Sequence, residues 1–455
     1  MTTFQKTSVR RIALRLVPLS IVMAPLLLAI APHAQAQSLL DLYESARTFD
    51  ASYQSAKLQY DANVAKADQA LAGILPTAGL TAGVSRTGFQ NTSPVVDRSF
   101  STQTATFSAT QPLYRPANWA AYKQGSKQLD LARAQLEASE QDLVVRTSQA
   151  YFDVLAAQDT LTFVQAQKAA VAEQLASAKR NFEVGTSTIT DTREAQARYD
   201  LVIAQELAAE NDVRVKKLAL DNLVGKTESE PKALLSPVNL PPLVPLDANA
   251  WVEQSELLHP SIRQAQSGLK IAELEVEKAQ AGHKPTLDAT AGYTVTRNPT
   301  GVVAGNVFYA FRTNTTNIGV LLNVPLFAGL ATQNRVSETL ALKDKAQSDL
   351  EGARRSVALS TRTAYFGVLS GQGQVKALEA AELSSQSALD ANKLGYQVGV
   401  RINIDVLNSQ SQLYQTKRDL AQARYNVLLG GLRLRQANGT LTPDDLRTIN
   451  AQLVK

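Results

Sequence analysis

The chain has 455 residues, 17 prolines, no cysteine and a formal net charge of +5. Without cysteine there is no disulfide framework, no thiolate metal site and no lipid-bearing cysteine. The basic excess is local: four of the 46 lysines and arginines (Lys6, Arg10, Arg11 and Arg15) precede residue 37, leaving 42 against 41 acidic residues, so no nucleic-acid partner is expected.

Residues 1–36 read as a signal peptide. A charged start is followed by an apolar stretch from Leu16 to Ile30 and by Ala34-Gln35-Ala36, an Ala-x-Ala cleavage site that predicts Gln37 as the mature N-terminus. Pro18 and Pro25 argue against a membrane anchor. No later segment is an apolar run of about 18 residues, so no transmembrane helix is expected. Transmembrane strands remain open, because they need only about 9–11 residues of alternating polarity.

Residues 37–225 make a first structural unit. A helical stretch from Leu39 leads to Ala72-Gly73-Ile74-Leu75-Pro76. Ala78, Leu80, Ala82 and Val84 then alternate with Thr77, Gly79, Thr81, Gly83 and Ser85, the period of a strand with one apolar face. A second strand, rich in Thr and Ser, is expected around Thr102 to Gln111, with Gly88 to Ser99 as an outward loop between them. No proline lies between Pro116 and Pro231, so this window can hold uninterrupted helices. Leu129, Leu136, Leu143, Ala150, Ala157, Val164 and Val171 recur every seven residues, which implies a supercoiled seam. A helix of about 65 residues would be about 100 Å long, a reach no compact domain needs. It ends at a tight Val184-Gly185-Thr186 turn, and a second helix returns.

Residues 226–249 are a linker. Five prolines between Glu228 and Asp247 exclude a helix there, and with the tail, residues 438–455, the linker is expected to form a belt outside the helices.

Residues 250–437 repeat the first unit. Ala72 to Pro76 returns as Ala281 to Pro285, and Gln111-Pro112-Leu113-Tyr114 returns as Val324-Pro325-Leu326-Phe327. Ala150-Tyr151-Phe152 returns as Ala364-Tyr365-Phe366. Val184-Gly185, with Ile189 and Asp191 after it, returns as Val398-Gly399 with Ile404 and Asp405. The offset drifts only from 209 (76 to 285) to 214 (191 to 405). Solenoid periods run about 20–50 residues, so so large a unit points to a pseudo-symmetric assembly. Leu287, Ala289, Ala291, Tyr293 and Val295 mark a third strand and Ile318, Val320, Leu322 and Val324 a fourth, with a loop expected at Asn298 to Phe311. Leu350, Val357, Ala364, Gly371 and Leu378 repeat the heptad stripe of the long helix.

Four strands cannot close a barrel, for which about eight are the minimum, and lipid does not tolerate an open edge. If the strands span a membrane, several chains share one barrel; the alternative is a soluble sheet with one face on a helical core. No phosphate loop, dinucleotide fingerprint, CxxC or HExxH motif is present. His259 and His283 each lie near a proline without a ligand-spaced partner and read as structural. Neither enzymatic activity nor a cofactor or metal is expected.

The segment from Gly395 through Val398-Gly399-Val400-Arg401-Ile402-Asn403-Ile404-Asp405 to Leu407 resembles the hairpin tip of the TolC family of outer-membrane efflux and secretion ducts. Ala423-Arg424-Tyr425-Asn426 and the opening Leu39-Leu40-Asp41-Leu42-Tyr43 are similar to it as well, and the likeness runs through the whole chain after residue 36. The resemblance implies a mostly helical homotrimer: a long periplasmic α-barrel of duplicated hairpins below a shared twelve-stranded barrel in outer-membrane lipid. It implies a periplasmic adaptor and an inner-membrane pump, ABC-type or proton-driven, as partners, and drugs, small molecules or secreted proteins as cargo. It also implies a periplasmic gate at which Thr190 and Asp191 bond to Tyr396 and Arg401, and a constriction ringed by Asp405. Asn408 stands where relatives often carry a second aspartate. The tips Val184, Gly185, Thr186, Val398, Gly399 and Val400 would meet the adaptor. The rival readings are an exported coiled-coil protein without a pore, an adaptor, which would need flanking lipoyl-like domains, and a porin, which would need more strands.

Overall fold

The computed structural model describes residues 37–454 except 94, 236, 237, 239, 305 and 306. The expected signal peptide and its cleavage site lie outside the described residues. Helix α1 (Leu39–Phe49) starts at a capping box in which the Ser38 and Asp41 side chains bond each other's backbone amides. Asp50 ends α1 and caps α2 (Ala51–Ala72), its carboxylate accepting from the Tyr53 amide.

Strands β1 (Thr77–Thr92) and β2 (Val95–Tyr114) form the first hairpin, and β3 (Thr286–Ala304) and β4 (Val307–Asn323) the second. All pairings are antiparallel, in the order β1-β2-β3-β4. Both expected loops are corrected. Gly88 to Ser99 and Asn298 to Phe311 continue the hairpins, with pairing out to Thr92–Val95 and Ala304–Val307. Ladder bonds between the arms outweigh the weak strand preference of Asn and Gly. Pro112 and Pro299 sit where the register shifts, the positions at which a sheet tolerates a residue without an N–H. One face carries Leu80, Phe107, Tyr293 and Ile318; the other carries Thr81, Thr106, Thr294 and Thr315.

Pro116 opens α3 (Pro116–Glu183), whose 68 residues make a rod of about 100 Å. Helix α4 (Ile189–Val224) returns along it. The second copy supplies α5 (Ala248–Leu258), α6 (Pro260–Gln280), α7 (Ala331–Gln397) and α8 (Asn403–Asn438); α9 (Asp445–Asn450) lies in the tail. The helices lie side by side, in the order α2-α3-α6-α7 near the sheet and α4-α3-α8-α7 beyond it. No helix among the described residues is long and apolar enough to cross a membrane.

Arg115, between β2 and α3, grips the buried Asp288 of β3 through two bonds of 2.8 and 2.6 Å, which fixes sheet to helices. Of the heptad stripe in α3, Leu143, Ala157, Val164 and Val171 are buried. The duplicated tyrosines act alike. Tyr151 donates its hydroxyl to the Lys232 carbonyl at 2.8 Å, and Tyr365 donates to that of Leu246, so each copy pins one end of the linker. The tail pairs with the linker at Leu234 and Leu453. The copies differ one residue on: Phe152 is buried against Tyr425, whereas Phe366 is exposed.

Candidate functional site

The two long hairpins end next to each other. Each first helix closes in a Schellman motif. The Thr186 amide donates to the Asn181 carbonyl and that of Gly185 to Phe182; in the second copy Val400 donates to Gly395 and Gly399 to Tyr396. Gly185 and Gly399 have φ of 77° and 78°, the left-handed region where glycine avoids a Cβ penalty. Val184, Val398 and Val400 remain exposed at the ends.

Between the tips lies a polar cleft of about 860 Å³, with Glu173, Arg180, Asp191, Lys393 and Arg401 among its lining. Asp191 is the third residue of α4 and faces back to its start. Thr188 and Ser187 donate their hydroxyls to its carboxylate at 2.8 Å, and the Thr188 amide donates at 3.0 Å. Partial burial pushes this carboxyl up, but those three bonds outweigh it and hold it below the ordinary 3.8. Tyr396 accepts from the Asn181 side chain at 3.2 Å. Arg401 lies 3.6 Å from Asp405, one helical turn on. Asn408 accepts from Arg198 of α4 at 2.9 Å. Thr190 is exposed.

The bonds expected from Thr190 and Asp191 to Tyr396 and Arg401 are therefore not made within one chain, among the described residues. A carboxylate three residues into a helix meets its own capping hydroxyl more readily than a side chain of another hairpin. Besides the Asn181–Tyr396 and Arg198–Asn408 bonds, the hairpins are joined by Asn403, fully buried at the start of α8. It accepts from Gln174 of α3 and donates to the Asp191 carbonyl at 3.3 Å. Asn181, Gln174, Asn403 and Arg198 escaped the sequence reading. Only Thr188-x-x-Asp191 was legible locally, as a capping box; the partners of Asn403 lie 229 and 212 residues away.

Among the described residues no group of three His, Cys, Asp or Glu could hold a metal. His259 caps α6, its Nδ1 accepting from the Ser261 amide, and burial pushes its pKa down.

A sheet with one apolar face, continuous with helices about 100 Å long that end in polar tips, has the architecture of a membrane duct. Comparison with known proteins agrees. The profile described as outer membrane efflux protein matches residues 42–226 and 251–440. The outer membrane protein TolC of Vibrio cholerae is 33% identical over 421 residues, covering 92% of this chain and 94% of that protein. The proteases secretion protein PrtF of Dickeya chrysanthemi is 28% identical over 437 residues, covering 92% and 91%. In fold the chain is similar to the outer membrane protein VceC of Vibrio cholerae, with a TM-score of 0.76, 19% identity and coverage of 88% and 96%. The chain belongs to the outer membrane efflux protein family. It is an outer-membrane channel for efflux or secretion.

Proposed function

We propose that three copies of this chain close into one duct, which a periplasmic adaptor couples to an inner-membrane pump of the ABC or proton-driven type. The observation that carries this is a pair of open margins on both halves of the molecule. β1 and β4 end the sheet with unpaired outer edges, which lipid does not tolerate. Below it, the flanking helices α4 and α7 expose Leu207 and Leu218 on one margin and Leu359 and Leu383 on the other. Three chains of four strands make twelve, enough to close a barrel; α7 of each chain then covers α2 and α4 of the next.

In this reading Thr190, Asp191, Tyr396, Arg401, Asp405 and Asn408 form the gate. Arg401 and Thr190 are exposed and reach the neighbouring chain, and three copies of Asp405 ring the narrowest point. The exposed Val184, Val398 and Val400 give the adaptor an apolar foothold beside the glycine turns. Cargo is small molecules or secreted proteins; the relative from Dickeya, by its name, secretes proteases. Native mass spectrometry of detergent-extracted protein tests the assembly. A threefold mass is expected, and a stable membrane-inserted monomer would overturn it.

A further inference from the structure

We propose that the outside of the sheet carries a binding site for the phosphate-bearing headgroup of a lipid in the membrane leaflet far from the helices. The proposal rests on the reading of the sheet as the membrane-spanning part of the channel.

Side chains on the two faces of the sheet follow from the register. The face bearing Leu80, Phe107, Tyr293 and Ile318 continues toward the hairpin ends as one cross-strand row, Val84–Gln103–Arg297–Arg312. On β1 the next residue of this face is Arg86. The opposite face is mostly Thr, Ser, Gly and Asn between its ends, with Leu321 near the helices and Phe89, Phe100, Arg98 and Phe311 at the far end; a polar middle is what a water-filled lumen requires, so the arginine row stands on the lipid side.

Its height fits a headgroup. Leu322 and Leu287 pair at the helix-proximal end of the apolar band, and Arg312 lies ten residues from Leu322 on β4 (322 to 312). Ten residues of strand span about 34 Å, and a tilt of about 40° reduces that to about 26 Å. The apolar band of a transmembrane barrel is about 25 Å tall. The arginines therefore stand at its upper edge, where hydrocarbon gives way to headgroups.

The charge is unbalanced in a way the sheet alone does not explain. Arg297 and Arg312 are directly opposed across β3 and β4. Like charges in that position destabilise a sheet. Neither has a hydrogen bond or an ion pair among the described residues. Arg86 donates only to the Ser99 hydroxyl, at 2.9 Å. Among the described residues beyond Val84 the outward face has one carboxylate, Asp97; it lies three rows further out than Val84 and accepts from Gln90 at 3.2 Å. Arg297, Arg312, Gln103, Val84, Ala82 and Val295 line a shallow groove of about 820 Å³, with guanidinium groups at one end and apolar side chains at the other. An amphiphile with an anionic head and acyl chains matches both ends. Two guanidinium forks side by side suit a tetrahedral phosphate, which they can hold bidentately.

The test is native mass spectrometry of the full protein in neutral detergent, with lipid A (a bisphosphorylated acylated disaccharide) as the probe. Its dephosphorylated form and inorganic phosphate are the comparison arms. The wild type is expected to retain lipid A under activation that strips the dephosphorylated form, and inorganic phosphate at equal concentration is expected not to displace it. R297Q/R312Q is expected to lose about tenfold in retention, the factor that 1.4 kcal/mol gives, and R297K/R312K to fall in between. Equal retention of the dephosphorylated lipid, unchanged retention by R297Q/R312Q, or displacement by inorganic phosphate would overturn the site. Insertion into liposomes is measured in parallel. A wild type that fails to insert overturns the membrane reading and this proposal together; normal insertion with unchanged retention in the variant overturns this proposal alone.

Discussion

Asn403 braces the two hairpin tips from inside the chain. It has no exposed surface, and it ties α8 to α3 through Gln174 and to α4 through the Asp191 carbonyl. Asn403→Ala leaves the Gln174 amide without its acceptor and takes one bond from a carbonyl. An orphaned buried polar group costs about 1–3 kcal/mol. In the proposed trimer, with tips that move together, the three losses sum to about 3–9 kcal/mol on the closed state. The low end of that range is a shift of about a hundredfold; a full reversal from closed to open takes about 5.5 kcal/mol. Single-channel recording in planar bilayers is the assay, with thermal melting to show that the variant is folded. Higher conductance or more frequent opening is expected, with Asn403→Asp intermediate, because the carboxylate still accepts from Gln174 but cannot donate to Asp191. A folded Asn403→Ala protein with wild-type conductance and a lowered melting temperature would refute the reasoning, since the brace would then stabilise the chain without holding the gate.

Replacing Tyr396 by Phe together with Arg401 by Ser is expected to raise conductance in the same recordings, because it removes the Asn181 contact and the Asp405 partner at once; an unchanged current would remove both residues from the gate. A trivalent cation added from the periplasmic side is expected to block the wild type, to leave Asp405→Ala conducting, and to block Asn408→Asp at lower concentration; equal block of Asp405→Ala would remove the ring. Gly439 and Gly399 have nearly the same φ, 80° and 78°, but a Cβ on Gly439 would lie 2.4 Å from the His259 Cα, whereas Gly399 has open space. Gly399→Ala is expected to cost only the left-handed backbone penalty of about 1–2 kcal/mol, and Gly439→Ala about 1–3 kcal/mol more for the overlap with backbone; equal melting temperatures would contradict this. Burial raises the Asp159 carboxyl above its ordinary 3.8 even though Tyr425 donates to it at 2.7 Å. A folded pKa above the unfolded one gives stability that is complete below 3.8 and lost as pH rises through the folded value. Asp159→Asn is therefore expected to melt higher than wild type at neutral pH, with the gap closing in acid, and a constant gap would show that charge burial is not the cause.

Much of the architecture was legible along the chain because its causes are local or periodic. The empty proline window from Pro116 to Pro231 marks helix because proline breaks helices wherever they lie. Alternation through Leu287 to Val295 marks strand because side chains alternate sides of a pleat. Gly185 and Gly399 mark the turns because the left-handed backbone there is costly for other residues. Duplication added what no single window shows, that both halves are built alike, and Tyr151 and Tyr365 do pin the linker in the same manner. The far reach of the strands was misread, because Asn, Gly and Thr carry loop preferences that only a paired neighbour overrides, and pairing is a property of two segments. The bonds made within the chain at the tip were hidden for the same reason. Asp191 could be seen as a cap, yet its neighbours across the hairpins could not, because Asn403 meets Gln174 only after α8 has been laid along α3, a rod of about 100 Å. The arginine row is the extreme case: Arg86, Arg297 and Arg312 are scattered polar residues in the sequence, and only the register puts them at one height on one face. Local preference and period are written in consecutive residues, whereas contacts between distant segments arise only when packing and strand register bring those segments together.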